Sequence, residues 1–143
     1  MNSLFNRKSR HNYEILEEYT AGIILLGSEV KSIVKGDVNF GDSFAYFANG
    51  EIWLKNLHVS KYKDSSYNNH DEMRDRKLLL NKKEIKSISK SLENKGVTLV
   101  PIELFTLRGK IKVKLGVCRG KKTWDKKEDL KKRDLERESG YKF

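Results

Sequence analysis

Cysteine and proline are almost absent from this chain of 143 residues, which contains one of each. The single cysteine, Cys118, has no partner for an intrachain disulfide, so we expect a reducing, cytoplasmic location. Long hydrophobic runs are missing too, because none approaches the roughly 20 residues that cross a bilayer. Residues 1–10 lack the apolar core of a signal peptide. These absences argue against a membrane protein or a secreted protein.

The motifs of common catalytic and metal sites are also missing. No HExxH, CxxC, GxSxG or phosphate-loop pattern occurs, and the chain has only three histidines, His11, His58 and His70. Three acidic residues near His70 could be imagined as metal ligands, but we expect loop residues that pair with Arg74 and Arg76: Asp71, Glu72 and Asp75. We therefore predict no catalytic residues, no metal and no cofactor. A metal-dependent nuclease that uses scattered carboxylates is the alternative.

What the chain has in excess is positive charge. Its 30 lysines and arginines outnumber 20 acidic residues, which gives a formal net charge of +10. Such a balance attracts polyanions, so RNA, DNA and anionic membrane surfaces are the candidate partners. The membrane is the weakest of these, for the reasons above. A lysine-rich surface that only provides solubility is the simplest alternative.

Short strand-like segments recur along the first 119 residues. Residues 13–18 and 22–26 predict two strands separated by Gly22. Asn49-Gly50 predicts a hairpin, because both central residues of a tight hairpin turn need positive φ, and a second hairpin is expected around Arg108-Gly109. Pro101 has no backbone N–H, so its strand should lie at a sheet edge or be bulged there.

Two helices are expected between the strands. Residues 28–36 predict a short helix with one apolar face, formed by Val30, Ile33 and Val34. Residues 80–96 predict the longest helix, because Asn81 is a good N-cap and Glu84 stands at the capping-box position. The polar residues 62–77 are expected to form a loop.

These elements predict a mainly β fold. Strand follows strand without regular intervening helices, which favours a small closed antiparallel OB-like β-barrel of about six strands. We expect two or three short helices and a charged C-terminal tail beside it. Residues 1–119 are predicted to form the barrel, and residues 120–143, which have almost no apolar side chains, the tail.

Three basic clusters are candidate RNA-binding surfaces. In the last predicted strand, lysines alternate with apolar residues, so that they share one face, and an arginine follows: Lys110, Lys112, Lys114 and Arg119. A second cluster lies near the N-terminus: Arg7, Lys8, Arg10 and His11. The third precedes the capped helix: Arg74, Arg76 and Lys77. Lysine attracts phosphate and the arginine fork suits phosphate oxygens, although a solvated face is the alternative for the strand.

The tail combines good helix propensity with no face that could dock on a core. Leu130 and Leu135 are five residues apart and do not share a helical face. Four basic residues would lie within roughly 60° of each other on a helix: Lys122, Lys126, Arg133 and Arg137. We expect a segment that is disordered when free and folds against a polyanion. Trp124, which could stack on a base, argues against a merely solubilising tail.

Several segments, in order over nearly the whole chain, resemble the family of SsrA-binding proteins, also called small protein B. They are residues 6–13 (NRKSRHNY), 21–22 (AG), 27–32 (GSEVKS), 42–45 (DSFA), 76–81 (RKLLLN), 120–122 (GKK) and 125–127 (DKK). Each segment alone is unspecific, whereas the ordered set is highly specific. This family is the partner of transfer-messenger RNA in the rescue of stalled bacterial ribosomes.

The resemblance implies an OB-like barrel that grips the tRNA-like domain of transfer-messenger RNA. It further implies that the tail enters the decoding centre and the empty mRNA channel of the ribosome and becomes helical there. Leu79 and Asn81 match positions that the family uses to bind RNA. The tail residues that match ribosome-related motifs are Gly120, Lys121, Lys122, Asp125, Lys126 and Lys127. Trp124 stands where the family often has histidine or another ring.

The chain departs from the family pattern at a few positions. Thr20 stands where the family usually has an acidic residue implicated in RNA binding, so that role is not assigned to it. Glu72 and Asp75 stand where proline is usual, and the tail ends soon after Gly140. The overall prediction is a monomeric, cytoplasmic, non-enzymatic binding protein for transfer-messenger RNA and the ribosome, with no membrane partner. A general RNA-binding or ribosomal protein with the same barrel is the alternative.

Overall fold

The computed structural model describes residues 3–62 and 69–120. Within these ranges the elements follow one another in this order: β1 (Leu4–Phe5), α1 (Arg7–Asn12), β2 (Tyr13–Ile23), α2 (Gly27–Lys35), β3 (Val38–Asn39), β4 (Phe44–Ala48), β5 (Glu51–Lys55), β6 (His58–Val59), β7 (Arg76–Leu79), α3 (Lys82–Leu92), β8 (Val97–Leu107) and β9 (Lys110–Gly120). None of these helices is long and apolar enough to cross a bilayer.

Six of the described strands form a closed antiparallel ring. Around it, β8 pairs with β4, β4 with β5, β5 with β7, β7 with β2, and β2 with β9, which pairs back with β8. β1 also pairs with β8, and β3 pairs with β6 in a small separate sheet. The expected mainly β, OB-like architecture is confirmed. Its core consists of the inward-facing side chains of the ring, such as Leu54, Leu78, Leu99, Val113 and Leu115.

Both predicted hairpins are present. Asn49 and Gly50 join β4 to β5 with φ angles of 53° and 74°, and Arg108 and Gly109 join β8 to β9 with φ angles of 51° and 76°. Two successive positive φ values give the turn a twist that matches the twist of the flanking strands. The tight turns therefore set the register of the two pairs of strands.

Pro101 lies at a bulge in the middle of β8. The pairing with β9 shifts between Pro101 and Glu103, which leaves Ile102 as the extra residue. Asn6 donates hydrogen bonds to two backbone carbonyls at the bulge. Its backbone N–H donates to the carbonyl of Ile102 and its side-chain amide to the carbonyl of Pro101, both at 2.8 Å. A Cβ at Gly116 of β9 would lie 2.5 Å from Cδ1 of Ile102. The expected bulge is confirmed, although β8 is not an edge strand.

The prediction that Gly22 separates two strands is wrong. β2 continues through Gly22 to Ile23, and Gly22 pairs with Leu79 on one side and with Lys112 on the other. A Cβ at Gly22 would lie 3.1 Å from Cβ of Leu79. The glycine therefore permits a close approach between neighbouring strands and does not interrupt the ladder.

The packing face predicted for the first helix is also wrong. α2 does bury Ile33, but Val30 and Val34 are 38% and 51% exposed. In their place α2 buries three polar side chains: Ser28, Glu29 and Ser32. Each has a partner in the fold, which compensates for its loss of water. The spacing of apolar residues alone could not show that hydrogen-bonded polar side chains would lie on the buried face of α2.

The last two residues of the region expected to be a loop belong to a strand, and the second helix is shorter than predicted. β7 occupies residues 76–79 and completes the ring between β5 and β2. α3 begins after Asn81 as expected and buries Ile85 and Ile88, but it ends at Leu92. Gly96, the predicted end, lies in the turn that follows, with a φ of 80°.

Candidate RNA-binding surface

An open groove of about 330 Å³ brings together two of the predicted sets of RNA-binding residues. Leu79 of β7 lines it together with Lys110 and Lys112 of β9. The remaining lining is apolar or lacks a side chain: Gly22, Ile23, Leu25, Val30, Gly109 and Ile111. Ammonium groups beside an aliphatic surface suit RNA, because the charges attract phosphates while the apolar atoms contact sugars and unpaired bases.

Leu79 reaches this groove because of its register in β7. The strand buries Arg76 and Leu78 completely, so the alternate residues Lys77 and Leu79 face outward, and Leu79 is 52% exposed. Gly22, its partner in β2, has no side chain that could cover it. The exposure of Leu79 thus follows from the position of the buried residues beside it.

The three lysines of β9 are not equivalent. Lys114 pairs with Glu103 of β8, and its Nζ lies 3.5 Å from a carboxylate oxygen of Glu103. Part of its charge is therefore balanced within the protein. In the described ranges Lys110 and Lys112 form no ion pair, so their charges face the groove without an internal counterion.

Asn81 caps α3 two residues after Leu79. Its Oδ1 accepts a hydrogen bond from the backbone N–H of Glu84 at 2.8 Å, and Oε1 of Glu84 accepts one from the N–H of Asn81 at 3.1 Å. The predicted capping box is confirmed. The side chain of Asn81 is exposed, and its amide nitrogen has no hydrogen-bond partner in the described part of the chain. The same residue can thus cap the helix and donate to RNA.

Arg76 must be removed from the predicted RNA-binding set. Its side chain is completely buried, and its Nε donates to Oε2 of Glu29, which is also completely buried. Its remaining nitrogens donate to the backbone carbonyls of Leu57 at 2.8 Å and Glu72 at 3.2 Å. A buried guanidinium whose three nitrogens all donate hydrogen bonds within the protein stabilises the fold and does not present a charge to RNA.

The other members of that cluster are partly available. Arg74 donates to Oε1 of Glu29 at 2.6 Å and to the carbonyl of Ile24 at 3.1 Å, and it is about one-third exposed. Lys77 lies 3.6 Å from a carboxylate oxygen of Glu51 at the surface. Lys77 can still contact an anion, because a partly exposed pair of this kind is weak. Arg74 is held by the completely buried carboxylate of Glu29, so only its exposed part can face an anion.

The buried carboxylate of Glu29 is held in its charged form. Burial raises the pKa of Glu29. Hydrogen bonds from Arg74, from the backbone N–H of Leu26 and from Arg76 lower the pKa, and together they outweigh the effect of burial. The net result is a pKa below the ordinary value, as expected for a carboxylate that accepts several charged hydrogen bonds. Glu29 thereby fixes α2 to the segment that leads into β7.

The N-terminal cluster is carried by α1. Arg7 is exposed, and His11 is half-buried. Lys8 forms an exposed ion pair with Asp42, at 3.0 Å between Nζ and Oδ1. Arg10 lies in the same helix. Arg7, Lys8 and His11 do not line the groove formed by Leu79, Lys110 and Lys112, so the predicted residues occupy more than one face.

The last described residues lead into the predicted tail. Arg119 is exposed and pairs with Glu14 of β2 at 3.0 Å, and Gly120 pairs with Tyr13. The remaining predicted ribosome-binding residues lie outside the described residues: Lys121, Lys122, Trp124, Asp125, Lys126, Lys127, Arg133 and Arg137.

The acidic residues near His70 do not pair with the arginines as predicted, since both arginines pair with Glu29. Glu72 contacts His58, and Asp75 accepts a hydrogen bond from Tyr46. His70 itself is buried between the hydroxyl of Ser28 and the carbonyl of Val59. In the described ranges no group of three potential metal ligands converges.

One further basic feature was missed in the sequence. Lys31 and Lys35 of α2 place their Nζ atoms 5.2 and 4.8 Å from the ring centre of Tyr62. The two lysines are four residues apart, a spacing that puts them on one helical face. That spacing was visible in the sequence, but the position of Tyr62 relative to the helix was not.

Comparisons with known proteins show which family the chain belongs to. The family model described as "SmpB protein" matches residues 3–143. An SsrA-binding protein of Thermosynechococcus vestitus is 53% identical over 93% of this chain and 88% of its own length. One from Borreliella afzelii is 49% identical over 96% and 94% of the two chains.

A solved structure gives the same result. A chain from a structure described as "tmRNA-SmpB: a journey to the center of the bacterial ribosome" is 51% identical, with a TM-score of 0.73 over 86% of this chain and 87% of that one. The family match covers all of the described residues, and both relatives exceed 45% identity over most of their length. The resemblance found in the sequence is thereby confirmed, and the chain belongs to the SmpB protein family.

Proposed function

We propose that this chain binds transfer-messenger RNA and delivers it to stalled bacterial ribosomes. The observation that carries this proposal is the groove in which Leu79 lies beside Lys110 and Lys112, in a member of the SmpB family. The groove offers unbalanced positive charge next to an exposed aliphatic surface. Structured RNA presents phosphates and unstacked loop bases at close range, so both parts of the groove have a counterpart in it.

The proposal extends to residues around the groove. Asn81 can donate its amide to RNA while it caps α3, and Arg74 and Lys77 add charge on the neighbouring strand and its approach. The cluster on α1 gives a second contact surface. The name of the relatives, SsrA-binding protein, supports an RNA ligand, and the solved neighbour on the bacterial ribosome supports the second partner.

The proposed role is binding and delivery without catalysis. Gly120, which was expected to begin the tail, is the last residue of β9, so residues 121–143 are proposed to be disordered when free and to become helical in the decoding centre and the mRNA channel. We propose that the protein acts in the cytoplasm, where ribosomes are, and that it acts as a monomer. The +10 net charge supports association with ribosomal RNA in addition to transfer-messenger RNA.

RNA capture tests the first half of the proposal. Immobilised protein is incubated with total bacterial RNA, and the retained RNA is sequenced. We expect one structured RNA, transfer-messenger RNA, to be strongly enriched. Uniform retention of many RNAs would support a general RNA-binding protein. Cleavage of the RNA that depends on added Mg²⁺ or Mn²⁺ would support a nuclease.

Removal of the tail tests the second half. A chain that ends at Gly120 keeps all described strands and helices, so it should fold and bind transfer-messenger RNA with nearly full affinity. We expect it to lose peptidyl transfer to the charged RNA on stalled ribosomes. The full-length variant Trp124→Ala should show a milder loss of transfer. Normal transfer by the shortened chain would contradict the proposed role of the tail.

A further inference from the structure

A small cleft separate from the groove lies between α1 and the turn that leads into β4. Its volume is about 180 Å³, and its floor is formed by Thr98 and Val100 of β8. Asn12 and Tyr13 line one side, and Ser43 and Phe44 the other. The volume is below the roughly 300–1,000 Å³ of sites for drug-sized ligands, so the cleft suits one small ring system.

Part of the polar lining of this cleft has no hydrogen-bond partner within the described residues. Ser43 is only 5% exposed, and its hydroxyl has no hydrogen-bond partner in the described part of the chain. Within the same ranges, the side chains of Asn12, Tyr13 and Thr98 form no hydrogen bonds. A buried hydroxyl without a partner is unfavourable, and native proteins seldom keep one without a reason such as a ligand or a water molecule. Four uncommitted polar side chains around one small cleft indicate a ligand with several polar atoms.

The electrostatics of the cleft favour a neutral ligand over a phosphate. Lys8 and Asp42 both line it, and their mutual ion pair at 3.0 Å lies at the exposed mouth. The carboxylate of Asp42 cancels the charge of Lys8 and would repel an anion that entered. Arg7, exposed on α1, lies outside this pair and can hold a phosphate attached to the ligand.

The shape and the chemistry of the lining suit a nucleobase. Tyr13 and Phe44 supply two aromatic rings, on which bases stack regardless of their sequence. The hydroxyls of Ser43 and Thr98 and the amide of Asn12 can donate to or accept from the edge of a base. Aromatic stacking combined with bonds to an unpaired base edge is the usual way in which proteins recognise single-stranded RNA.

The walls of the cleft are fixed before a ligand arrives. Asn6, which precedes α1, donates hydrogen bonds to the carbonyls of Pro101 and Ile102 of β8. The hydroxyl of Ser9 donates to the carbonyl of Asn6 at 2.7 Å. Tyr13 begins β2 and pairs with Gly120. A preformed site loses less conformational entropy on binding than a flexible one.

We propose that this cleft binds a single unpaired nucleobase of the RNA partner, whose phosphate contacts the basic residues of α1. This deepens the proposed function, since it names one element that the RNA must present near α1. The cleft shares no residue with the groove of Leu79, Lys110 and Lys112. The RNA is therefore held at two places, by charge in the groove and by an inserted base in the cleft.

Nucleotide titration of the full chain tests the cleft without the RNA. AMP, GMP, CMP and UMP are added separately to isotope-labelled protein, and ribose 5-phosphate serves as the control that lacks a base. We expect at least one nucleotide to shift the amide resonances of Ser43, Phe44 and Thr98 saturably, and ribose 5-phosphate to leave them unchanged. An equal response to ribose 5-phosphate, or no response of these residues to any nucleotide, would overturn the inference.

Two variants connect the cleft to RNA binding. Ser43→Ala removes an unpaired hydroxyl, so its melting temperature should equal or exceed that of the wild type. Affinity for transfer-messenger RNA should nevertheless fall about fivefold, the usual scale of one lost hydrogen bond. The salt dependence should not change, since no phosphate contact is lost. Thr98→Val should behave similarly, and Thr106→Val, at the exposed end of the same strand, should have no effect.

The outcomes distinguish this inference from the proposed function. If Ser43→Ala and Thr98→Val both bind the RNA and the nucleotides as the wild type does, the cleft is not a base site, while the proposed function stands. If the wild type binds nucleotides at Ser43 and Thr98 but does not enrich transfer-messenger RNA, the proposed function is wrong, while the inference that the cleft binds a base is supported.

Discussion

Glu29 and Arg76 form an ion pair in which both side chains are completely buried. The pair joins α2 to β7, and its two residues lie 47 positions apart in the chain. Burying two charges is costly, and their attraction compensates for this only when the remaining polar atoms also have partners. Here Leu26, Arg74 and two backbone carbonyls provide those partners. The pair consequently orients α2 and sets which residues of β7 face the groove.

Replacing Arg76 should affect stability before RNA binding. Arg76→Met leaves the carboxylate of Glu29 buried with only Arg74 as a charged partner, which should cost roughly 3–5 kcal/mol of unfolding free energy. Urea denaturation measures this cost. Lys77→Met, at the surface of the same strand, should change the stability little. A stable Arg76→Met protein with weakened RNA binding would instead show that Arg76 contacts RNA.

The stability should depend on pH through Glu29. Its pKa in the folded protein lies below the ordinary value of 4.5, so the unfolded chain binds the proton more readily than the folded one. The stabilisation is therefore complete above about pH 4.5 and is lost as the pH falls through the lower folded-state pKa. Urea midpoints measured across that pH range should fall more steeply for the wild type than for Glu29→Gln. Parallel curves would contradict this role, and Glu93→Gln, at the exposed end of α3, is the control.

The unpaired lysines of the groove should determine the salt dependence of RNA binding. Each phosphate contact contributes roughly 0.7–0.9 to the slope of log affinity against log salt. The double variant Lys110→Gln, Lys112→Gln should therefore lower the slope by about 1.4–1.8. Lys114→Gln should change it less, since Glu103 already balances part of that charge. An unchanged slope in the double variant would identify this face as solvated surface, and the exposed Lys95→Gln serves as the control.

The two roles of Asn81 can be separated by substitution. Asn81→Ala removes the cap of α3 and should cost about 1 kcal/mol of stability, whereas Asn81→Ser should restore most of it, because serine also caps helices. Serine cannot replace the amide donor, so RNA affinity should stay low in Asn81→Ser. Stability from thermal unfolding and RNA affinity from filter binding give the two readouts. Recovery of both together would limit Asn81 to a structural role.

The local signals in the sequence were sufficient where neighbouring residues determine the structure. The hairpin at Asn49-Gly50, the bulge at Pro101 and the capping box of Asn81 depend on backbone conformation and nearby hydrogen bonds. The alternation of residues 110–117 predicted which lysines share the outer face of β9. In the same way, the ordered motifs along the chain were enough to indicate the family, which the family match confirmed.

Contacts between distant residues could not be inferred in this way. The sequence pattern favoured Val30 and Val34 as the packing face of α2, and it put Arg76 among the exposed basic residues. Both expectations failed for one reason: Glu29 turns inward to meet Arg76, which exposes the two valines and buries the arginine. No local periodicity signals a charge pair between residues so far apart in sequence.

By itself, the sequence determined the two hairpin turns, the cap of α3, the excess of positive charge and the family, because these depend on residue type and on order along the chain. Only the tertiary structure decided which charges remain available for RNA. It placed Lys110 and Lys112 beside Leu79, balanced Lys114 with Glu103 and enclosed Arg76. It also brought the uncommitted polar side chains around Ser43 together from three separate segments. The physical reason is that burial and electrostatic pairing depend on distances in space, which closure of the six-stranded ring sets.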